Sequence, residues 1–253
     1  MGSREEASGL ERVSQRAACV RDMLLGGARW SAITDRLRAK RWGRYTDPHA
    51  LCHDHFRLRS SVTHVNYDSM CYVIEALGGH PQTILETGMS AWGTDSTRLF
   101  DSYVRSFGGH LWSVDIEPER VRGLASRVGP QTTLVCDDSA AFLARWVSEH
   151  PDERAGLVYL DSWDVDFAAP LPAAEHCVRE LIAVTPALQQ GTLLLIDDSP
   201  GSLEHVPEHA HADAQSLFAE LGVWPGKGML VQKRLSDRGV FPIMHGYQLL
   251  YQF

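Results

Sequence analysis

The sequence predicts an α/β domain: a mostly parallel, seven-stranded sheet with helices on both faces, preceded by a helical segment. Two observations carry this. Between residues 83 and 196, short apolar runs alternate with helical patterns, as in successive strand-helix-strand units joined by right-handed crossovers. Two of these runs, 156–160 and 192–196, are continuously apolar, as strands buried on both faces require. Each ends on carboxylates, Asp161 after the first and the pair Asp197 and Asp198 after the second. In open parallel sheets that edge is where ligands bind.

The elements follow in order. Leu10, Val13, Ala17, Val20 and Leu24 recur at helical spacing until Gly26-Gly27 stops the run. Further helices are expected over 31–40, 48–58 and 66–77. Trp42-Gly43 and the Thr46-Asp47-Pro48 turn divide them, and Gly78-Gly79 closes the series. Residues 1–80 therefore read as a helical cap and oligomerisation segment, and 81–253 as the main domain. In that domain, strands over 83–86, 110–114, 132–136, 156–160 and 192–196 alternate with helices over 96–106, 118–128, 140–149 and 173–188. The tail departs from this pattern: strands over 228–232 and 247–251 follow without a full crossover and can pair antiparallel.

Composition narrows the class. The apolar and charged fractions are those of a soluble globular protein, no run is long enough to span a bilayer, and the first residues lack an apolar signal core. A cytoplasmic chain with no membrane partner is expected. The five cysteines are scattered without a CxxC pair, which fits reduced thiols, and Cys52, His53 and His55 lack a second ligand pair for zinc. Charge is uneven: residues 1–60 carry a net +5, leaving −13 for the remainder. The basic run 36–44, with Trp42 inside it, fits a solvated helix face or a subunit contact better than nucleic acid. The acidic remainder suits a cationic cofactor and a divalent metal.

Candidate site residues gather at the strand ends. The first strand closes on Glu86, Thr87 and Gly88, with Gly93 before a helix that opens at Ser96; glycines there let backbone approach a ligand and leave helix amides open. The dinucleotide fingerprint GxGxxG is absent, which argues against a nicotinamide enzyme. Asp115 tips the second strand with Ile116 beside it, and a carboxylate there can accept both hydroxyls of a ribose. Asp138 and Ser139 follow the third strand, where an adenine amino group can be read or a helix capped. Asp161, Asp197 and Asp198 would repel one another unless a cation or a fixed donor array compensated them; alternatively they begin turns and cap helices.

Together these residues resemble the class I S-adenosylmethionine-dependent methyltransferases, from about residue 84 to the C-terminus. The resemblance implies a Rossmann-like fold. Glu86, Thr87 and Gly88 match the opening Glu-x-Gly motif, although Trp92 stands where the family's later glycine falls and Gly93 follows it. Asp115 matches the ribose-binding acid, with Ile116 next to it, and Asp138-Ser139 the adenine-side motif. LDSWDVDF followed by LLLIDDSPG is similar to the metal-dependent O-methyltransferases of catechol and macrocin type. On that match Asp161, Asp197 and Asp198 hold magnesium, Trp163 packs near the adenine or else in the core, and Asp164 stands where catechol enzymes carry a catalytic lysine. Asp164 is then the candidate base, with Asp161, His205 or His209 as substitutes. His205, His209 and His211 lie in a loop expected to act as a lid; the first two are four apart, as on one helix face, a spacing that can alternatively bind a metal. The activity implied is magnesium-dependent methyl transfer to a hydroxyl of a small molecule, a natural-product sugar or phenol, by a homo-oligomer. The alternatives are a nucleic-acid methyltransferase, whose Asn/Asp-Pro-Pro-aromatic motif is missing, and a cofactor-binding protein of this fold with a different reaction or none.

Overall fold

The computed structural model describes residues 45–90 and 93–253. The helices expected over 5–24 and 31–40, the basic run 36–44 and Trp92 lie outside the described residues. Among the described residues, the strands β1 (Gln82–Thr87), β2 (Gly109–Asp115), β3 (Thr132–Cys136), β4 (Ala155–Leu160), β5 (Leu193–Ile196), β6 (Met244–His245) and β7 (Leu249–Gln252) form one sheet. Their order is β3-β2-β1-β4-β5-β7-β6. The first five strands are parallel, β7 runs antiparallel to β5, and β6 antiparallel to β7. The chain moves outward from β1 to β3 and then returns to the other side of β1 as β4. That reversal opens a crevice at the carboxyl ends of β1 and β4.

Alternation along the strands feeds two cores. Ile84, Leu111, Leu157, Tyr159, Leu193, Leu195 and Leu250 face helices α1 (Pro48–Arg59), α2 (Tyr67–Ala76) and α3 (Ser96–Phe107). Leu85, Val114, Val158, Leu160, Leu194, Ile196, Leu249 and Tyr251 face α5 (Ser139–Glu149), α6 (Leu171–Val184) and α8 (Met229–Ser236). Two other helices, α4 (Pro118–Ala125) and α7 (His211–Leu221), complete the described set. All four residues of β5 are buried, which explains its unbroken apolar run.

Two expectations need correction. Leu51, Phe56, Met70, Val73 and Ile74 of α1 and α2 belong to the same core as the sheet, so the compact unit begins at Tyr45 and not at residue 81. Each such side chain contributes roughly 1.5–3 kcal/mol by leaving water, and this burial joins the two helices to the domain. The strand expected over 228–232 is the start of α8. A short apolar run does not distinguish strand from helix, and here the four-residue spacing of the buried Val231 and Leu235 decides. The edge strand beside β7 is the short β6, joined to it across a tight turn at Gly246.

Glu86 ties three elements together. Fully buried on β1, its carboxyl accepts from Ser96 at the start of α3 (2.6 Å) and from Ser113 on β2 (2.5 Å). Burial pushes its pKa up from 4.5 to about 7, against the opposing pull of the Ser113, Ser96 and Thr97 hydroxyls. Between those two values the folded chain binds the extra proton, so the stability this group provides is present at low pH and is lost as pH rises through about 7. We expect the wild type to lose roughly 3 kcal/mol relative to Glu86→Gln as pH is raised from about 5 to about 8, measured by urea denaturation. A difference that stays flat with pH would contradict this reading of Glu86.

Candidate active site

The turn after β1 depends on Gly88. Its φ is +81°, and a Cβ there would lie 2.2 Å from the Asp161 carbonyl oxygen. Thr87 holds the same neighbour, its carbonyl accepting from the Asp161 amide at 2.9 Å. Asp115 fastens the next turn to this one: its carboxylate accepts from the Met89 amide (2.9 Å) and the Glu117 amide (2.8 Å), with Arg120 at 3.6 Å. Asp138 caps α5 by accepting from the Ala141 amide at 2.9 Å. Ser139 bonds His176 Nε2 at 2.8 Å, and His176 lies under the ring of Trp163 at 5.3 Å between centroids. Ile116 and Trp163 leave 69% and 54% of their surface exposed beside this edge. Gly88, Asp115, Ile116, Asp138, Ser139 and Trp163 all line one cavity of about 500 Å³, a size suited to a cofactor-sized ligand. Glu86 and Thr87 stand behind its wall, and Gly93 packs toward His64.

Asp161, Asp197 and Asp198 share the cavity's other end. Lys227, from the loop between α7 and α8, inserts among them. Its Nζ lies 2.6 Å from Asp161 Oδ1, 3.3 Å from the Asp161 carbonyl and 3.0 Å from Asp198 Oδ2. Tyr159 donates its hydroxyl between Asp161 Oδ2 (3.2 Å) and Asp197 Oδ2 (3.0 Å). Asn66 Nδ2 (3.0 Å) and Gln248 Nε2 (2.8 Å) both donate to Asp197 Oδ1, and Tyr247 donates to Asp198 Oδ1 at 2.6 Å. Burial and the adjacent Asp197 push Asp161 upward, and burial with Asp198 does the same for Asp197. Burial opposes the charge of Lys227, but Asp161, Asp198 and Asp197 outweigh it and hold the ammonium above its ordinary value.

No family model matches the chain, and no curated protein matches it. Solved structures do. MycE methyltransferase from the mycinamycin biosynthetic pathway, in complex with Mg and SAH, is 18% identical, with a TM-score of 0.56 over 83% of this chain and 55% of that one. CalS11, a TDP-rhamnose 3'-O-methyltransferase in calicheamicin biosynthesis, is 16% identical in its apo structure, with a TM-score of 0.50 over 73% of this chain and 77% of that one. A second CalS11 structure is 13% identical, with a TM-score of 0.51, and covers 96% of this chain and 93% of that one. The chain has the class I methyltransferase fold. At these identities the likeness is one of fold, and the chain spans about half the length of MycE.

Against that fold, Asp164 is exposed at the cavity rim, where its carboxylate is open to a ligand. The histidine loop does not match its expected geometry. His205 and His209 occupy separate 3-10 turns divided by Pro207, so they share no helix face, and neither lines the cavity. His211 instead bonds the Val206 carbonyl at 2.8 Å. Cys52, His53 and His55 also diverge: Cys52 enters the core, His53 bonds Tyr67 and His55 bonds the Thr94 carbonyl. Sequence reasoning missed Lys227, Asn66, Tyr159, Tyr247 and Gln248. One signal was available for the first, since Lys227 stands between two glycines. A Cβ at Gly226 would lie 2.4 Å from the Asp198 carbonyl, and one at Gly228 would lie 2.6 Å from Ser199 Oγ.

The trio does not fit a magnesium ion as arranged. Lys227 Nζ stands between Asp161 and Asp198, Asn66 and Gln248 donate to Asp197 Oδ1, Tyr247 donates to Asp198 Oδ1, and the one Tyr159 hydroxyl hydrogen is shared between Asp161 Oδ2 and Asp197 Oδ2. Among the described residues no three His, Cys, Asp or Glu side chains are disposed to hold a metal ion. For the Gly88 contact, Gly88→Ala is expected to destabilise the chain by about 3 kcal/mol, from left-handed strain plus overpacking. Gly222→Ala, at φ +70° with nothing near its Cβ, should cost only about 1 kcal/mol. Equal losses in thermal or urea unfolding would contradict the close packing at Gly88.

Proposed function

We propose that this chain is an S-adenosylmethionine-dependent O-methyltransferase that acts on a hydroxyl of a small, uncharged, polyhydroxylated molecule or phenol. The observation that carries the reading is that one cavity joins a nucleoside-shaped edge to an acidic end. At the first edge, Asp115 keeps lone pairs for ribose hydroxyls beyond its two backbone bonds, and exposed Ile116 and Trp163 offer apolar faces to a purine. At the other end, Asp161, Asp197 and Asp198 line the cavity, with Asn66 beside them donating its Nδ2 to Asp197 Oδ1 at 3.0 Å.

The chemistry asked of these residues is modest. The acceptor oxygen attacks the sulfonium methyl carbon, the carbon-sulfur bond breaks with its electron pair left on sulfur, and the acceptor proton passes to a carboxylate. Asp164 is open at the rim for that proton, and Asp198 can orient the hydroxyl. The surrounding charge favours a cationic cofactor: Asp115, Glu117, Asp137, Asp138, Asp161, Asp164, Asp197 and Asp198 line the cavity against Arg120 and Lys227. The same field disfavours a polyanion, which supports a small acceptor over nucleic acid.

Calorimetric titration of S-adenosylmethionine tests the reading, and its failure to bind would end it. Asp115→Asn is expected to weaken that binding about ten-fold. Once mass spectrometry has found an acceptor by its methyl gain, Asp164→Asn should lower kcat by about a hundred-fold or more and leave cofactor affinity unchanged. Unchanged kcat would remove Asp164 as the base.

A further inference from the structure

Three carboxylates gathered in a buried site require a cation, and in this chain a lysine supplies it. Asp161 and Asp197 are almost fully buried, and Lys227 is only 2% exposed. Such charges persist out of water only when paired and fully hydrogen-bonded. The ammonium has three donors and makes three contacts, to Asp161 Oδ1, the Asp161 carbonyl and Asp198 Oδ2. Asn66 and Gln248 donate to Asp197 Oδ1, Tyr247 donates to Asp198 Oδ1, and the one Tyr159 hydroxyl hydrogen is shared between Asp161 Oδ2 and Asp197 Oδ2. A magnesium ion needs lone pairs from about six oxygens at short range, whereas this shell directs N–H and O–H groups at those lone pairs.

The loop carrying Lys227 is built for close insertion. Its backbone amide donates to the Asp198 carbonyl at 3.0 Å, the Gly228 amide donates to Ser199 Oγ at 2.9 Å, and side chains at Gly226 and Gly228 would collide with the end of β5.

We propose that Lys227 is the resident cation of this site, its ammonium taking the place of a divalent metal, so that the chain assembles its acceptor end and transfers methyl groups without one. The methyl transfer rests on the function proposed above; the replacement of the metal does not. Lys227 acts as a positioning residue. It fixes Asp161 and Asp198 and leaves the acceptor proton to a carboxylate.

The test is direct metal binding. Mn²⁺ titrated into the full chain and followed by electron paramagnetic resonance is expected to remain free, and thermal unfolding should be the same in EDTA and in MgCl₂. Lys227→Met leaves the trio without its cation. It should unfold at lower temperature and gain Mn²⁺ binding, with an affinity at least about ten-fold above the wild type, whereas Lys227→Arg should gain none. One Mn²⁺ bound per wild-type chain, or a wild-type melting temperature that rises with Mg²⁺, would overturn the proposal. So would a Lys227→Met protein that folds with wild-type stability and binds no Mn²⁺. Should Lys227→Met not fold, the wild-type measurements decide alone. Titration of S-adenosylmethionine in EDTA keeps the two ideas apart: cofactor binding with stoichiometric Mn²⁺ sinks only the lysine proposal, and no cofactor binding sinks the methyltransferase reading whatever Mn²⁺ does.

Discussion

Removing a carboxylate from water costs several kcal/mol unless something nearby cancels its charge, and the carboxyl edge of this sheet carries three close together. Much of the local architecture follows from meeting that cost. Lys227 brings one positive charge, while Tyr159, Tyr247, Asn66 and Gln248 bring neutral donors from β4, from the turn before β7 and from the start of α2. These residues are distant in sequence and meet only because the sheet order sets β4, β5 and β7 side by side. Asn66 illustrates the demand. It stands at the N-cap of α2 yet makes no capping bond, and its side chain reaches Asp197 instead.

The edge around Asp115 and Asp138 solves a milder problem with different means. Asp115 is satisfied mainly by backbone amides, and Asp138 by the first turn of α5. Beyond its two backbone bonds Asp115 has the Arg120 guanidinium 3.6 Å away, at the edge of the cavity and not inserted between carboxylates. The two ends of the cavity therefore differ in character: one is held by main-chain geometry, the other by a charged side chain that arrives from elsewhere.

That difference also explains what was legible in the sequence. The strands β1 to β5 and the helices between them could be read because their signals are local, namely apolar period, glycine stops and capping residues. Asp115, Asp138 and the three aspartates could be placed at strand ends for the same reason, and the need to compensate the trio followed from charge alone. What supplies the compensation could not be read, because Lys227 lies 66 residues beyond Asp161 and joins it only through the fold. The strand expected over 228–232 failed on related grounds. Its apolar residues suit either periodicity, and the loop at 226–228, packed on the end of β5, launches a helix.

Gly88 touches the backbone of Asp161, so the turn that frames the edge around Asp115 and the residue that anchors the charged end form a single contact. Mechanically, this means that neither end of the cavity can shift without the other. The exposed rim at Trp163 and Asp164 can change shape while the glycine, the aspartate and the lysine stay in place. Replacing that lysine alone uncovers oxygens of Asp161 and Asp198, while the four neutral donors keep their places around the trio.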